Sequence, residues 1–309
     1  MGNLEQGTGK SRDQGTGNCG QEKQLPIPDP RSPIPGILYI VATPIGNLED
    51  MTFRAVRILQ EVDLIAAEDT RHSRKLLTHF GISRPLTSYF DHNKQLKGNF
   101  ILEKLLAGVA VALVTDAGTP CISDPGYQLV RDAVAAGIRV VPIPGASAVI
   151  TALCAAGLPT DSFTFIGFLT NRQGKRRERL AALKTEKRLL VFYEAPKRLE
   201  ATLTDMLDIF GEREVTVARE LTKIYEEFIR GPLSQVLAQV RERTIRGEVV
   251  VLVAPPTEAE VTEKPPVDLL LKGYLAGGKM SLKDAVRLVT EESGAPRSEV
   301  YAIALQLKK

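Results

Sequence analysis

One segment, residues 38–52, does most to limit what this chain can fold into. It reads LYIVATPIGNLEDMT: an apolar run that predicts a buried β-strand, then a Pro/Gly turn, then the capped start of a helix. An α/β domain holds its ligands on loops of this kind, just beyond the carboxyl end of a strand. Gly46 is the only glycine in the segment. A phosphate cradle needs several glycines, so the segment disfavours a nucleotide phosphate as the ligand.

Three later loops have the same character. They read DAGTPCISDPG at 116–126, PIPGASA at 142–148 and YEAPKR at 193–198. Each follows an apolar run, and proline, glycine or another small residue marks the turn. We expect these turns, from both halves of the chain, to converge on one pocket, because ligand loops gather at the carboxyl edge of a sheet.

Length and composition set broad limits. A chain of 309 residues predicts two compact units of roughly 100–150 residues each. No apolar run reaches the ~20 residues of a membrane-spanning helix, and residues 1–35 lack the apolar core of a signal peptide. The three cysteines and three histidines are too scattered to indicate a disulfide framework or a zinc site. We therefore expect a cytoplasmic protein with no metal and no membrane contact.

Strand and helix patterns predict the fold class and its division into domains. Residues 1–35 are rich in Gly, Gln and Pro and are predicted to form a disordered tail. Residues 36–157 are predicted to be an N-terminal α/β domain, because strands and amphipathic helices alternate there, which favours a mostly parallel sheet. The strands are expected at 37–43, 62–67, 110–115 and 138–142, and the helices at 52–60, 72–80, 98–107, 126–136 and 147–156.

The second half of the chain shows a different order of strands and helices. Residues 158–256 are predicted to form a mixed α/β domain in which strands 214–219 and 224–230 pair as an antiparallel hairpin. Further strands are expected at 163–168, 188–193 and 248–254, and helices at 175–184, 197–210 and 233–243. Residues 257–309 are predicted to be a linker and a small helical module resembling a helix-turn-helix, with N-caps at Ser281 and Ser298. Its helices could bind nucleic acid, or they could serve as a packing appendage or dimer brace.

Four short motifs occur together in a fixed order: TPIGNL at 43–48, AEDTR at 67–71, DAGTP at 116–120 and ARELT at 218–222. From about residue 36 to the C-terminus, the chain resembles the tetrapyrrole methylase superfamily of S-adenosylmethionine-dependent methyltransferases. Within it, the motifs resemble a branch that methylates the ribose 2′-hydroxyl of a cytidine in small-subunit (16S) ribosomal RNA. The resemblance implies two α/β domains with a cofactor cleft between them, a homodimer, and ribosomal RNA or the 30S subunit as partner.

S-adenosylmethionine carries no phosphate, so its site needs close backbone approach and small side chains more than an anion cradle. The residues expected to bind it lie on or beside the loops described above: Pro44, Asp116, Ala117, Gly118, Thr119, Ile122, Ser147, Ala148, Phe168, Leu169, Tyr193, Ala195 and Arg219. Ser123 and Asp124 could be polar partners of the cofactor, or could cap the following helix. In the superfamily the turn at 118–120 usually reads Gly-Asp-Pro; here Thr119 stands in place of the aspartate.

Methyl transfer to a weakly acidic hydroxyl is helped by a base or by a positive charge. The candidate catalytic residues are Asp69, Arg71, Glu194, Lys197 and Glu220. Sequence alone does not choose among them. Asp69 could instead be the N-cap of a helix, with Arg71 on the solvent-exposed face of that helix. Arg219 and Glu220 could instead take part in buried Arg–Glu pairing within the second domain.

A cationic cluster lies between residues 172 and 188, with eight Lys or Arg residues against two Glu residues. Its position after a candidate site loop favours contact with an RNA backbone, although a solvated helix face is the plainer alternative. The residues expected to bind RNA are Arg172, Lys175, Arg176, Arg177, Arg179, Lys197 and Arg198.

Two other functions fit parts of the pattern. A methyltransferase acting on a tetrapyrrole or another small molecule would share the cofactor loops, but would not need the cationic cluster. A non-catalytic RNA-binding factor would need the cluster and the helical module, but not the cofactor loops.

Overall fold

A computed structural model describes residues 35–90, 94–257, 267–275 and 280–307. The predicted disordered tail, apart from Pro35, and most of the predicted linker, at 258–266, lie outside the described residues. The division into domains stays a prediction.

The first half of the chain forms a five-stranded sheet in which every strand pair is parallel. Its strands, in the spatial order β3-β2-β4-β1-β5, are β1 (Ile37–Val41), β2 (Leu64–Ala67), β3 (Leu86–Ser88), β4 (Val111–Val114) and β5 (Arg139–Ile143). The expected parallel sheet is thus confirmed. The sequence patterns did not indicate β3, since its three residues are too few to show a strand periodicity.

Helices cover both faces of this sheet, which is why its strands are apolar on both sides. The helices of this half are α1 (Phe53–Glu61), α2 (Thr70–His79), α3 (Lys94–Leu106), α4 (Tyr127–Ala135) and α5 (Ala148–Ala155), and the first four of them pack on this sheet. Ile58 and Leu59 of α1 pack on one face, and Ile101 and Leu105 of α3 pack on the other. The four residues of β4 are all buried as a result.

The second half forms another five-stranded sheet, this one mixed. Its strands, in the spatial order β6-β7-β10-β8-β9, are β6 (Phe163–Phe168), β7 (Leu189–Glu194), β8 (Glu214–Arg219), β9 (Glu227–Pro232) and β10 (Val249–Val253). Only β6 and β7 pair in parallel. The antiparallel pairing of β8 with β9 confirms the expected hairpin.

Two layers of helix enclose the second sheet. One face packs against α6 (Gln173–Ala181), α7 (Pro196–Phe210) and α8 (Leu233–Arg241). The opposite face packs against α5, whose Val149, Ala152 and Leu153 lie among Val250 and Leu252 of β10. Helix α5 therefore packs on the second sheet, and Ile45, from the loop after β1, belongs to the same apolar cluster.

The C-terminal module contains α9 (Val267–Leu275), α10 (Leu282–Ser293) and α11 (Arg297–Gln306) around a small core of their own. Ser281 is the N-cap of α10, as expected, and its hydroxyl accepts the N–H of Asp284. The expectation for Ser298 is wrong, because Pro296, two residues earlier, occupies the capping position and α11 begins at Arg297. Within the described ranges, no helix combines the length and apolar character needed to cross a membrane.

A buried ion pair holds α6 against α7. The guanidinium of Arg176 is 2.7 Å from the Asp205 carboxylate, and both side chains are almost completely buried. Arg177 adds a second ion pair to Asp205 and another to Asp208. Burial raises the pKa of Asp205, but hydrogen bonds from Arg177, Arg176 and Gln173 outweigh it, so the net pKa lies below its ordinary value.

Removing the carboxylate of this pair is expected to destabilise the second half of the chain. In Asp205→Ala, Arg176 stays buried without its partner, which typically costs about 3–5 kcal/mol. Asp208→Ala, which removes an exposed carboxylate on the same helix, is the matched control and should cost less than about 1 kcal/mol. Urea denaturation of the two variants measures the difference. Equal losses would show that the buried pair contributes nothing beyond a surface ion pair.

Candidate active site

A cavity of about 440 Å³ opens between the carboxyl edge of the first sheet and the second sheet. Residues from the ends of β2, β4 and β7, the start of α5 and the segment before β10 surround it. They are Ile45, Glu68, Thr115, Asp116, Ala117, Gly118, Thr119, Ile122, Ser123, Asp124, Ser147, Ala148, Phe168, Tyr193, Glu194, Ala195, Pro196, Leu221, Gly247, Glu248, Val249 and Val250. The expected convergence of loops from both halves of the chain is therefore present.

Backbone pairing fixes the loop that follows β4. Thr43 and Gly118 exchange two N–H···O bonds, of 2.9 and 3.0 Å, as an isolated antiparallel bridge. Gly118 has φ +86°, a conformation that disfavours any side chain, and a Cβ added there would lie 3.4 Å from Cγ2 of Ile45. The bridge locks the loop after β1 to the loop after β4.

The rest of the 116–126 loop is tied down by one side chain and by unusual backbone angles. Thr119 donates its hydroxyl to the Ala146 carbonyl at 3.1 Å, which joins this loop to the start of α5. Cys121 and Ser123 both have positive φ, at 73° and 65°. Such conformations cost free energy and are concentrated at ligand-binding loops.

One wall of the cavity is acidic. Glu68, Asp116 and Asp124 all line it, and the Thr115 hydroxyl donates to Glu68 at 2.6 Å. Burial, followed by the charge of Glu68, raises the pKa of Asp124 to about 6, although a hydrogen bond with Thr115 acts in the opposite direction. Burial also raises the pKa of Asp116, against a hydrogen bond from the N–H of Asp69. This wall is suited to a cation.

Another wall of the cavity is apolar. Phe168 and Tyr193 pack with ring centroids 5.4 Å apart, beside Leu221 and Val250. Burial and the charge of Asp124 raise the pKa of Tyr193 to about 12, so its hydroxyl stays protonated near neutral pH. This wall can hold a flat, uncharged ring.

Glu194 ends β7 and is almost completely buried, although it borders the cavity. Its carboxylate accepts the N–H of Ala195 and the hydroxyl of Thr202, both at 2.7 Å, and pairs with Arg198 at 2.6 Å. These donors hold the turn into α7. They leave the carboxylate poorly placed to take a proton from a substrate.

The loops after β1 and β8 meet at the cavity mouth. The N–H of Asn47 donates to the Thr222 hydroxyl at 3.1 Å. Gly46 lies so close to Lys223 that a Cβ there would be 2.5 Å from the lysine Cγ. Lys223 in turn pairs with Glu220 at 2.9 Å.

Most residues expected to bind the cofactor border the cavity, and three do not. The ten that do are Asp116, Ala117, Gly118, Thr119, Ile122, Ser147, Ala148, Phe168, Tyr193 and Ala195. Pro44 and Leu169 are buried beside lining residues. Arg219 does not line the cavity; it forms an ion pair within the second half of the chain, as the alternative interpretation proposed, although the partner at 2.9 Å is Glu227 and not Glu220.

Among the candidate catalytic residues, only Glu194 lines the cavity. Asp69 is the N-cap of α2 and accepts the N–H of Arg71, as the alternative interpretation proposed. The Asp69 side chain is also paired with the exposed Arg71 guanidinium. A hydrogen bond from Arg71 lowers the pKa of Asp69 to about 2. Glu220 pairs with Lys223, and Lys197 is exposed.

Several lining residues were not expected from the sequence. Glu68 and Thr115 end strands and could have been noted as polar residues at a carboxyl edge. Gly247 and Glu248 precede β10 and lie in space beside Leu221. No local sequence pattern indicates that these two residues face the cavity. In sequence, β9 and α8 separate them from Leu221, which lies between β8 and β9.

The cationic cluster divides into exposed and internal members. Arg172, Lys175 and Arg179 are exposed on or beside α6. Arg176 does not belong to the surface, because its side chain is buried against Asp205. Arg177 is held by two aspartates, and Arg198 by Glu194.

Comparisons with known proteins place this geometry in a family. The family model described as Tetrapyrrole (Corrin/Porphyrin) Methylases matches residues 37–237, and that of the RsmI C-terminal HTH domain matches residues 265–308. Among solved structures, a diphthine synthase superposes with a TM-score of 0.57 at 13% identity, covering 74% of this chain and 94% of that chain. A uroporphyrin-III C-methyl transferase from Thermus thermophilus, complexed with S-adenyl homocysteine, gives a TM-score of 0.51 at 17% identity, covering 70% and 97%.

Curated relatives are much closer in sequence. The protein named ribosomal RNA small subunit methyltransferase I from Halalkalibacterium halodurans is 50% identical over 87% of this chain and 94% of its own length. The protein of the same name from Escherichia coli O157:H7 is 49% identical over 88% and 95%. The chain belongs to the tetrapyrrole methylases and, within them, to the family of ribosomal RNA small subunit methyltransferase I.

Proposed function

We propose that this protein uses S-adenosylmethionine to methylate the ribose 2′-hydroxyl of a cytidine in small-subunit ribosomal RNA. The observation that carries the proposal is the cavity between the two sheets, with one acidic and one apolar wall. The names of the curated relatives support the substrate class, and the solved relative complexed with S-adenyl homocysteine supports the cofactor.

The cavity fits this cofactor in size and chemistry. A volume of about 440 Å³ lies within the range of small-molecule sites, roughly 300–1,000 Å³. Ala117, Gly118, Ala148 and Ala195 leave space along its lining. The cofactor's sulfonium and ammonium are cations, its adenine is flat and it carries no phosphate, which matches an acidic wall, an apolar wall and few glycines.

Particular groups of the chain would hold each part. The side chains of Phe168 and Tyr193 offer an apolar surface for the adenine. Ser147 precedes α5, and its side chain makes no capping bond; the Val149 N–H bonds to Tyr193, and the N–H groups beside it at the helix start can bind a carboxylate. Asp116 and Asp124 face the cationic part of the ligand. The bound cofactor supplies an activated methyl group; the protein supplies proximity, which can lower a barrier by roughly 7–11 kcal/mol.

The exposed cations lie where an RNA acceptor would need them. Arg172 and Lys175 follow β6, which ends at Phe168 on the cavity rim. Lys197 follows Pro196, another rim residue. A cation in the first turn of a helix opposes the helix dipole, so Lys197 is better explained by a phosphate partner than by stability. This favours RNA over a small macrocycle as the acceptor. A cytoplasmic location and a homodimer remain predictions.

The central test is transfer of labelled methyl groups from S-adenosylmethionine to small-subunit RNA or 30S subunits that lack the modification. We expect label at a single cytidine, resistant to alkaline cleavage because the 2′-oxygen is blocked. Label on a tetrapyrrole precursor instead of RNA, or on neither, would overturn the proposal.

Filling the cavity should abolish cofactor binding. Ala148→Phe places a ring inside it, whereas Ile150→Phe enlarges an exposed residue of the same helix and is the matched control. S-adenosylhomocysteine at about 100 times its dissociation constant should stabilise the wild type and the control by ~2.7 kcal/mol. Thermal unfolding measures this, and we expect no ligand-induced shift in Ala148→Phe. A preserved shift would place the cofactor elsewhere.

Reversing exposed charges near the rim should weaken RNA binding. Arg172→Glu combined with Arg179→Glu is expected to lower affinity and reduce the slope of log K against log salt by about 0.7 for each lost phosphate contact. Lys104→Glu combined with Arg139→Glu, an equal charge change on the first half, is the control. Filter binding over a salt series provides the measurement, and identical slopes in both double variants would contradict an RNA role for α6.

A further inference from the structure

We propose that Asp124 is the catalytic base that takes the proton from the target ribose hydroxyl. This inference rests on the proposed function and adds the residue role that the sequence left open. It concerns a cavity residue outside the five candidates identified from the sequence.

The other carboxylates of the cavity are already engaged. Glu194 is saturated by Ala195, Thr202 and Arg198. Glu248 lies largely in solvent and pairs with Lys223 at 3.2 Å. Each of these two carboxylates already has a cationic partner.

The two acids nearest Asp124 also have fixed partners. Asp116 accepts the N–H of Asp69 at 3.2 Å, and Glu68 accepts the Thr115 hydroxyl at 2.6 Å. Among the residues that the structure describes, neither a backbone N–H nor a cationic side chain is recorded against the Asp124 carboxylate. It is the lining acid with the most capacity to accept a proton.

Thr115 connects Asp124 to Glu68. The Thr115 hydroxyl donates to Glu68 at 2.6 Å, and a hydrogen bond with Thr115 also lowers the pKa of Asp124, so one hydroxyl proton serves two neighbouring carboxylates. A protonated Asp124 can instead donate to Thr115, and Thr115 to Glu68. Thr115 thus gives Asp124 a hydrogen-bond partner in both of its protonation states.

The charges around Asp124 favour its losing a proton when the ligand binds and its gaining one during the reaction. Burial and the charges of Glu68 and Asp116 hold its pKa near 6. Cys121 and Tyr193 are the other titratable groups that respond to Asp124, and the pKa values of both are raised, chiefly by burial. A cationic ligand lowers the pKa of Asp124 and ionises it. Once the positive charge is lost, the pKa rises again and the carboxylate gains affinity for a proton.

The proposed step balances in atoms and electrons. The 2′-oxygen forms a bond to the methyl carbon while the carbon–sulfur bond breaks, and that electron pair returns to sulfur as a neutral thioether. The hydroxyl proton moves to the Asp124 carboxylate, which becomes a carboxylic acid. Solvent receives the proton after the products leave.

Asp124→Asn tests the proposal, because the side chain keeps its shape but loses its basicity. We expect the single-turnover rate of methyl transfer to fall by roughly 10²–10⁴-fold while the dissociation constant for S-adenosylhomocysteine stays within about threefold. The wild-type rate should rise with pH and level off once Asp124 is ionised; in Asp124→Asn this rise should disappear. Asp116→Asn, on the same wall, is the comparison variant: its rate should still rise with pH, but the rise should lie at lower pH because the charge of Asp116 no longer raises the pKa of Asp124.

A binding measurement without catalysis provides an independent readout. Calorimetry in two buffers of different ionisation enthalpy counts the protons released when S-adenosylmethionine binds near pH 6. The wild type should release a fraction of a proton that Asp124→Asn does not, and S-adenosylhomocysteine, which lacks the sulfonium, should release less.

Three results would overturn the assignment. These are a rate for Asp124→Asn within about threefold of wild type, an unchanged pH profile, and a loss confined to cofactor affinity. The last would make Asp124 a binding residue. Failure of the proposed function looks different, because the wild type itself would then methylate no RNA.

Discussion

The backbone bridge between Thr43 and Gly118 is the constraint on which the rest of the site depends. Its two hydrogen bonds join the loops after β1 and β4, two strands that are neighbours in the first sheet. The bridge aims the 116–126 loop across the sheet edge, where the Thr119 hydroxyl reaches Ala146 and ties it to α5. Asp116 and Asp124 are consequently held on the same wall as Glu68, against the natural tendency of like charges to separate.

Holding three carboxylates together in a half-buried cavity opposes stability. Burial and mutual repulsion raise the pKa values of Asp116 and Asp124, so part of the folding free energy maintains this arrangement. The positive φ angles at Cys121 and Ser123 add to that cost. Local features that reduce stability persist where a ligand compensates for them, and here a cation entering the cavity would relieve the repulsion.

The sequence predicted the meeting of the loops better than it predicted the partners of individual charges. Apolar runs ending in Pro/Gly turns are local signals, so the loops at 116–126 and 142–148 and their meeting at a sheet edge could be predicted. Arg176 on α6 and Asp205 on α7 are 29 positions apart, and no pattern in either helix sequence indicates that they form a pair. For the same reason Arg176 resembled its exposed neighbours in the cationic cluster, and Glu248, which precedes β10, gave no sign of facing the same cavity as Leu221.

Helix α5 belongs to two environments at once. Its first residues border the cavity, while Ala152 and Leu153, near its other end, are packed against β10 in the core of the second sheet. The eight residues of the helix span about 12 Å and behave as a stiff rod. A change of volume deep in that apolar layer would therefore tilt the rod and displace the N–H groups at its tip, so ligand affinity can be tuned from positions that no ligand ever touches.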